Sequence, residues 1–217
     1  MGFLSAYDVM VFDCDGVILN SNKVKTNAFY ESVRSYGESY AQALVEYHVE
    51  NGGISRYKKY EYFFNNILKV DIVQSEFNFL LSDFASKVRQ GLMSCDVAEG
   101  LEELRSQSQH AKWFIVSGGD QAELREIFSL RGLECFFDGG IYGSPDSKDI
   151  ILDREVAREL TTGVGLFVGD SQYDYEAATR AGLDFIFVTS WSEFSGAESY
   201  FEGKKLRVVS SIAELCL

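Results

Sequence analysis

The chain has 217 residues, 46% of them apolar, with 17 Phe and 12 Tyr, enough for an α/β core domain with a smaller insert. Its formal net charge of −13 argues against a nucleic-acid partner, because a phosphate backbone needs a basic surface. No run approaches the ~20 apolar residues that span a bilayer, so no membrane association is expected.

In chain order, Tyr7–Phe12 is a short apolar run of β formers and reads as a strand buried on both faces. It ends abruptly in Asp13-Cys14-Asp15-Gly16. Residues 20–88 then carry helical patterns over Lys25–Tyr36, Tyr40–Val49, Arg56–Leu68 and Gln74–Arg89, with no convincing strand. Asn51-Gly52-Gly53-Ile54 is the clearest break among them. This segment holds 8 acidic and 8 basic residues, so the other 25 acidic and 12 basic residues account for the whole net charge. An anionic substrate needs such a neutral segment near its site, or a metal that masks the carboxylates.

Beyond it, strands are predicted at Trp113–Val116, Gly139–Tyr142, Gly165–Val168, Phe185–Val188 and Leu206–Val209. Helices are predicted at Val97–Gln107, Gln121–Arg131, Asp149–Leu160 and Tyr173–Ala181, with Gly132 and Gly182 as C-terminal glycines. Alternating strands and helices imply a parallel sheet with right-handed crossovers. The expected fold is α/β: a Rossmann-like core from residues 1–19 and 89–217, interrupted by an all-helical insert over 20–88.

Ligands of open α/β sheets bind at the carboxyl ends of the strands. Asp13 and Asp15, then Ser117-Gly118-Gly119, Lys148, and Gly169-Asp170-Ser171 with Asp174 all fall at such ends. Three carboxylates gathered there call for a cation, and few hard oxygen ligands with room for water suit Mg²⁺. The metal would clamp a phosphate for in-line displacement. One carboxylate can attack phosphorus, and a second, two residues on, can protonate the leaving alcohol and later activate water. Lysine, serine and glycine N–H groups would bind the remaining phosphate oxygens.

These residues resemble the four motifs of the haloacid dehalogenase (HAD) superfamily, in order: Asp13-Cys14-Asp15-Gly16-Val17, Ser117-Gly118, Lys148, and Gly169-Asp170-Ser171-Gln172-Tyr173-Asp174. The helical insert is similar to the C1-type cap of the phosphoglycolate phosphatase and β-phosphoglucomutase branch. The resemblance implies that Asp13 is the nucleophile and Asp15 the general acid/base. It implies that Asp13, the Asp15 carbonyl and Asp170 hold Mg²⁺, that Asp174 acts on metal-bound water or positions Lys148, and that Ser117, Gly118 and Lys148 bind phosphate. Gly52-Gly53-Ile54-Ser55-Arg56 is similar to a cap segment whose arginine reaches substrate, so Arg56, with Lys58 and Lys59 nearby, is expected to meet a distal anionic group.

The expected activity is hydrolysis of a phosphate monoester on a small metabolite through an aspartyl-phosphate. The alternative is a phosphosugar mutase. In that branch a cap histidine follows the first motif, and Lys25 stands at its place here, which favours transfer to water. Plain structural roles are expected elsewhere: core packing for Cys14, surface or packing roles for His48 and His110, and cap core for most of Tyr57, Tyr60, Tyr62, Phe63 and Phe64. Cys14, Cys95, Cys135 and Cys216 are too scattered for a zinc site or a disulfide framework. The opening MGFLSAYD matches neither a signal peptide nor, with Ala6, a myristoylation pattern. A cytoplasmic protein, monomeric by default, is expected.

Overall fold

A computed structural model describes residues 2–160 and 163–216; Met1, Thr161, Thr162 and Leu217 of the expected core segments lie outside these. Six strands form one sheet: β1 (Val9–Phe12), β2 (Lys112–Asp120), β3 (Gly140–Ser144), β4 (Gly165–Gly169), β5 (Asp184–Val188) and β6 (Arg207–Val209). The order is β3-β2-β1-β4-β5-β6, and every pairing is parallel. The order reverses at β1, which lies between β2 and β4, and a doubly wound sheet opens a crevice at such a switch point.

Both faces of the sheet are covered, which explains the unbroken apolar runs of its strands. Val9 and Val11 pack with Phe114, Val116, Phe167 and helix residues Ile151, Leu152, Ala177 and Ala178. Met10 and Phe12 point the other way, into a cluster with Trp113, Ile115, Leu124 and Phe128 that continues into residues between β1 and β2, including Phe29, Tyr60 and Phe84.

Between β1 and β2 lie α1 (Asn22–Val33), α2 (Glu38–Glu50), α3 (Arg56–Tyr62), a wider π-helical turn over Phe63–Leu68, and α4 (Gln74–Ser94). Leu80, Phe84, Val88 and Leu92 are buried at four-residue intervals along α4, one apolar stripe on a continuous helix. The expected boundary at 88–89 therefore falls inside an unbroken helix. No helix among the described residues is long and apolar enough to cross a membrane.

The remaining helices are α5 (Leu101–Gln107), α6 (Gln121–Leu130), α7 (Lys148–Ile151), α8 (Gln172–Arg180) and α9 (Ala197–Phe201). The helix expected from Val97 starts only at Leu101, because Val97 bridges Leu19 and Gly100 sits in the left-handed region at φ +80°. The helix expected over Asp149–Leu160 is α7 followed by a π-helical turn, Leu152–Val156. β2 runs past Val116 to Asp120, with its register against β3 shifting between those two residues. Ser117-Gly118-Gly119 thus lies in an irregular strand end rather than in a loop after it.

Candidate active site

The parallel register pairs Phe12 with Val168, which brings the residues after β1 and β4 side by side; the Asp13 N–H donates to Val168 O at 3.0 Å. Lys148 begins α7 and donates from Nζ to Asp13 Oδ1 at 2.6 Å and to Asp174 Oδ1. Asp174 is fixed by the start of its own helix. Its Oδ2 accepts from Ser171 Oγ at 2.7 Å and from the N–H groups of Ser171 and Asp170 at 3.1 and 3.2 Å, closing a reciprocal cap of α8. Asp13, Lys148 and Asp174 form one buried chain of charge.

Asp170 joins them. One carboxylate oxygen each from Asp13, Asp170 and Asp174 lies within 4.8 Å of the others, and Asn22 Nδ2 holds Asp170 Oδ2 at 2.7 Å while also donating to Trp191 O at 2.8 Å. Gly16, at φ +81°, permits this approach: a Cβ there would fall inside contact distance of Asp170 Oδ2 and Asn22 Nδ2.

Burial, opposed by Lys148 but aided by Asp174 and Asp15, pushes the Asp13 carboxyl up to about 7. Burial and the charges of Asp13 and Asp174 push Asp170 well above the carboxylate range. Burial disfavours the charged form of Lys148, yet Asp13 and Asp174 outweigh it and raise the ammonium above its ordinary range. Buried carboxyls crowded by neighbouring carboxylates are relieved by a bound cation, and a hard oxygen donor set fits Mg²⁺. Asp13 and Asp170 suit that role. Asp174 has both oxygens engaged and instead suits the positioning of Lys148.

Asp15 stands apart from this carboxylate group. Its Oδ2 accepts from Lys25 Nζ at 2.5 Å and its Oδ1 from Ser21 Oγ at 2.6 Å. Burial raises its pKa, but Lys25 and Ser21 outweigh that and hold the carboxyl below its ordinary range.

Residues 51–54 close over the strand ends. A Cβ on Gly118 would fall inside contact distance of Gly53 O, and one on Gly52 would meet Ser171 Cβ at 3.1 Å. The cavity beneath is lined by Asp13, Asp15, Lys25, Arg56, Lys59 and Gly118, among others. About 60 Å³ of it is open to the centres of water molecules, room for several waters or a small polar group.

The profile of the haloacid dehalogenase-like hydrolases matches residues 10–188. The chain belongs to this family. Among curated proteins no sequence matches the chain. Solved structures with the same fold include a phosphonoacetaldehyde hydrolase-like protein from Oleispira antarctica (14% identity, TM-score 0.75, covering 99% of this chain and 92% of that one). A β-phosphoglucomutase from Clostridium difficile is similar at 18% identity and TM-score 0.71, covering 96% and 93%. A haloacid dehalogenase-like family hydrolase from Streptococcus pneumoniae is similar at 16% identity and TM-score 0.68, covering 97% and 98%.

This HAD enzyme thus gathers Asp13, Lys148, Asp170 and Asp174 into one cluster, as the strand ends suggested. Ser117 is fully buried, its Oγ accepting from Gly119 N at 3.0 Å, and it is Gly118 and Gly119 that line the cavity. The basic spot at Arg56, Lys58 and Lys59 separates into three. Lys58 is exposed and pairs with Glu61. Arg56 is buried, 3.3 Å from Glu123, with Phe84 beneath its guanidinium. Lys59 is buried against His48. His48 is therefore a cavity-lining residue, whereas His110 is exposed. Cys14 is core, and Tyr60, Phe63 and Phe64 pack in the core, while Tyr57 reaches Asp120 at 2.7 Å. Sequence reading missed Ser21 and Asn22. Both sit at the start of α1, where residues facing back toward β1 are geometrically available, and that proximity was the only signal.

Proposed function

We propose that this HAD hydrolase is a Mg²⁺-dependent phosphatase acting on a phosphate monoester of a small metabolite through an aspartyl-phosphate at Asp13. The observation that carries it is the Asp13–Lys148–Asp174 chain beside Asp170 at the switch point of the sheet. Mg²⁺, held by Asp13 and Asp170, would supply charge neutralisation to the phosphoryl oxygens. The resemblance adds the Asp15 carbonyl to that set.

Lys148 holds Asp13 Oδ1, which leaves the other oxygen to attack phosphorus. The ester P–O bond breaks, and the leaving oxygen takes a proton from Asp15. The same carboxylate then takes a proton from the water that attacks the acyl-phosphate, releasing inorganic phosphate and restoring Asp13. The backbone N–H of Gly118, together with Lys148, would bind the phosphoryl oxygens. Helices α1–α4 act as a cap of the C1 type, with residues 51–54 excluding bulk water from the acyl-phosphate. Lys25 is ion-paired with Asp15, and burial alone would lower its pKa, but Asp15 raises it overall. The mutase branch carries a histidine at this place, and an ion-paired lysine there instead favours hydrolysis over phosphosugar transfer.

The test is phosphate release from p-nitrophenyl phosphate. Wild type should need a divalent cation and stop on chelation, and Asp13→Asn should lower kcat by more than about a thousandfold. Equal rates in the two proteins would reject the mechanism. A strict requirement for a catalytic sugar bisphosphate would favour the mutase.

A further inference from the structure

Most buried cations around the cavity have a carboxylate partner. Lys25 holds Asp15, Lys148 holds Asp13 and Asp174, and Arg56 reaches Glu123. Lys59 is the exception among the described residues. It is 2% exposed, and its polar contacts are His48 Nδ1 at 2.6 Å and His48 O at 3.4 Å, with the Phe29 ring 5.5 Å away. Because His48 Nδ1 receives the lysine, the ring proton belongs on Nε2, and that buried atom has no hydrogen-bond partner. Both residues line the cavity that contains Asp13. Burying a cation without a counter-charge and a donor without an acceptor is costly. An anion in the cavity would supply the counter-charge that Lys59 lacks.

We infer that Lys59, oriented by His48, receives a second anionic group carried on the leaving group of the substrate. The enzyme then acts on phosphate esters of small acids, or on bisphosphates. The inference rests on the phosphatase reading and names its substrate class. It also moves the distal anion away from Arg56, whose guanidinium is already engaged by Glu123 and lies 3.9 Å from Asp120. The charged groups that act on Lys59 are Lys25 on α1, Asp15 after β1, Glu193 after β5 and Lys148 on α7. Burial, then Lys25, hold its pKa down to about 7. An incoming anion reverses that, so binding near pH 8 takes up a proton.

The test is a matched series of esters assayed with Mg²⁺: 2-phosphoglycolate (carboxylate), propane-1,3-diol bisphosphate (second phosphate), 2-hydroxyethyl phosphate (neutral) and phosphoethanolamine (cationic). Wild type should favour one of the two anionic esters over the neutral one by at least about tenfold in kcat/KM, with the cationic ester poorest. Whichever anionic arm leads identifies the group received. Lys59→Met, checked for folding by its melting curve, should lose about tenfold to a hundredfold on that ester, chiefly in KM, against a smaller loss on the neutral one. Lys59→Arg should recover part of the preference. Equal turnover of neutral and anionic esters by wild type, or a proportional loss on all esters in Lys59→Met, overturns this inference and leaves the phosphatase standing. No turnover of any ester or of p-nitrophenyl phosphate overturns both.

Discussion

Replacing Lys148 with Met removes the ammonium that joins Asp13 to Asp174 while keeping most of the side-chain volume. The side chain is 1% exposed and pairs with both carboxylates. Breaking a buried ion pair costs about 3–5 kcal/mol, because the remaining charge is left without compensation. Two carboxylates lose their partner here, which places the loss near about 5 kcal/mol at pH 8. For a chain of this size about 1 kcal/mol moves Tm by about 2–4 °C, so a fall of about 10–20 °C is expected. The pH dependence has a definite sign. Asp13 titrates near 7 when folded and near 3.8 otherwise, so the folded state keeps a proton that the unfolded chain releases. Its contribution to stability is full below about pH 4 and is lost as pH rises through 7. At pH 5 Asp13 is protonated with or without Lys148, so the variant's deficit should be smaller there than at pH 8. Thermal unfolding in a chelating buffer at both pH values measures this. A loss under about 3 °C at pH 8, or equal losses at both, would refute the reasoning.

Asn22→Ala frees Asp170 from its 2.7 Å hydrogen bond; it should weaken Mg²⁺ activation about tenfold to a hundredfold, read from the metal concentration giving half-maximal rate. Gly118→Ala places a methyl group against the backbone carbonyl of Gly53, which cannot swing aside. It should keep the fold yet lower kcat/KM on p-nitrophenyl phosphate at least about tenfold, and activity within twofold of wild type would show that residues 51–54 need not close on β2.

The core was legible because its signals are local. Each strand that is buried on both faces must be an unbroken apolar run, and both sheet faces are indeed covered. Asp13 and Asp170 could be placed together because parallel register aligns strand ends. The start of α5 was misread because Val97 has helical spacing to Leu101, while its actual partner is Leu19 from the other side of the insert. The extent of α4 was misread because Leu92 continues the stripe past the expected boundary. The same limitation applies to the cap-side chemistry. Arg56, Lys58 and Lys59 are one basic cluster in sequence, but a helical turn sends neighbouring side chains in different directions. Only the positions of Glu123, Glu61 and His48 separate their roles.

Lys25 shows how a single substitution in a family frame is decided by its contacts. Its place in the sequence is that of the cap histidine of the mutase branch, where a lysine could also touch substrate. The 2.5 Å ion pair holds Asp15 as a carboxylate, which under the proposed mechanism is the state ready to take a proton from the attacking water. The first half of the proposed reaction needs Asp15 to carry a proton, so under that proposal an arriving phosphate dianion would have to loosen the hold of Lys25 on that carboxylate. The same ammonium that restrains the acid without substrate would then bind the phosphoryl charge.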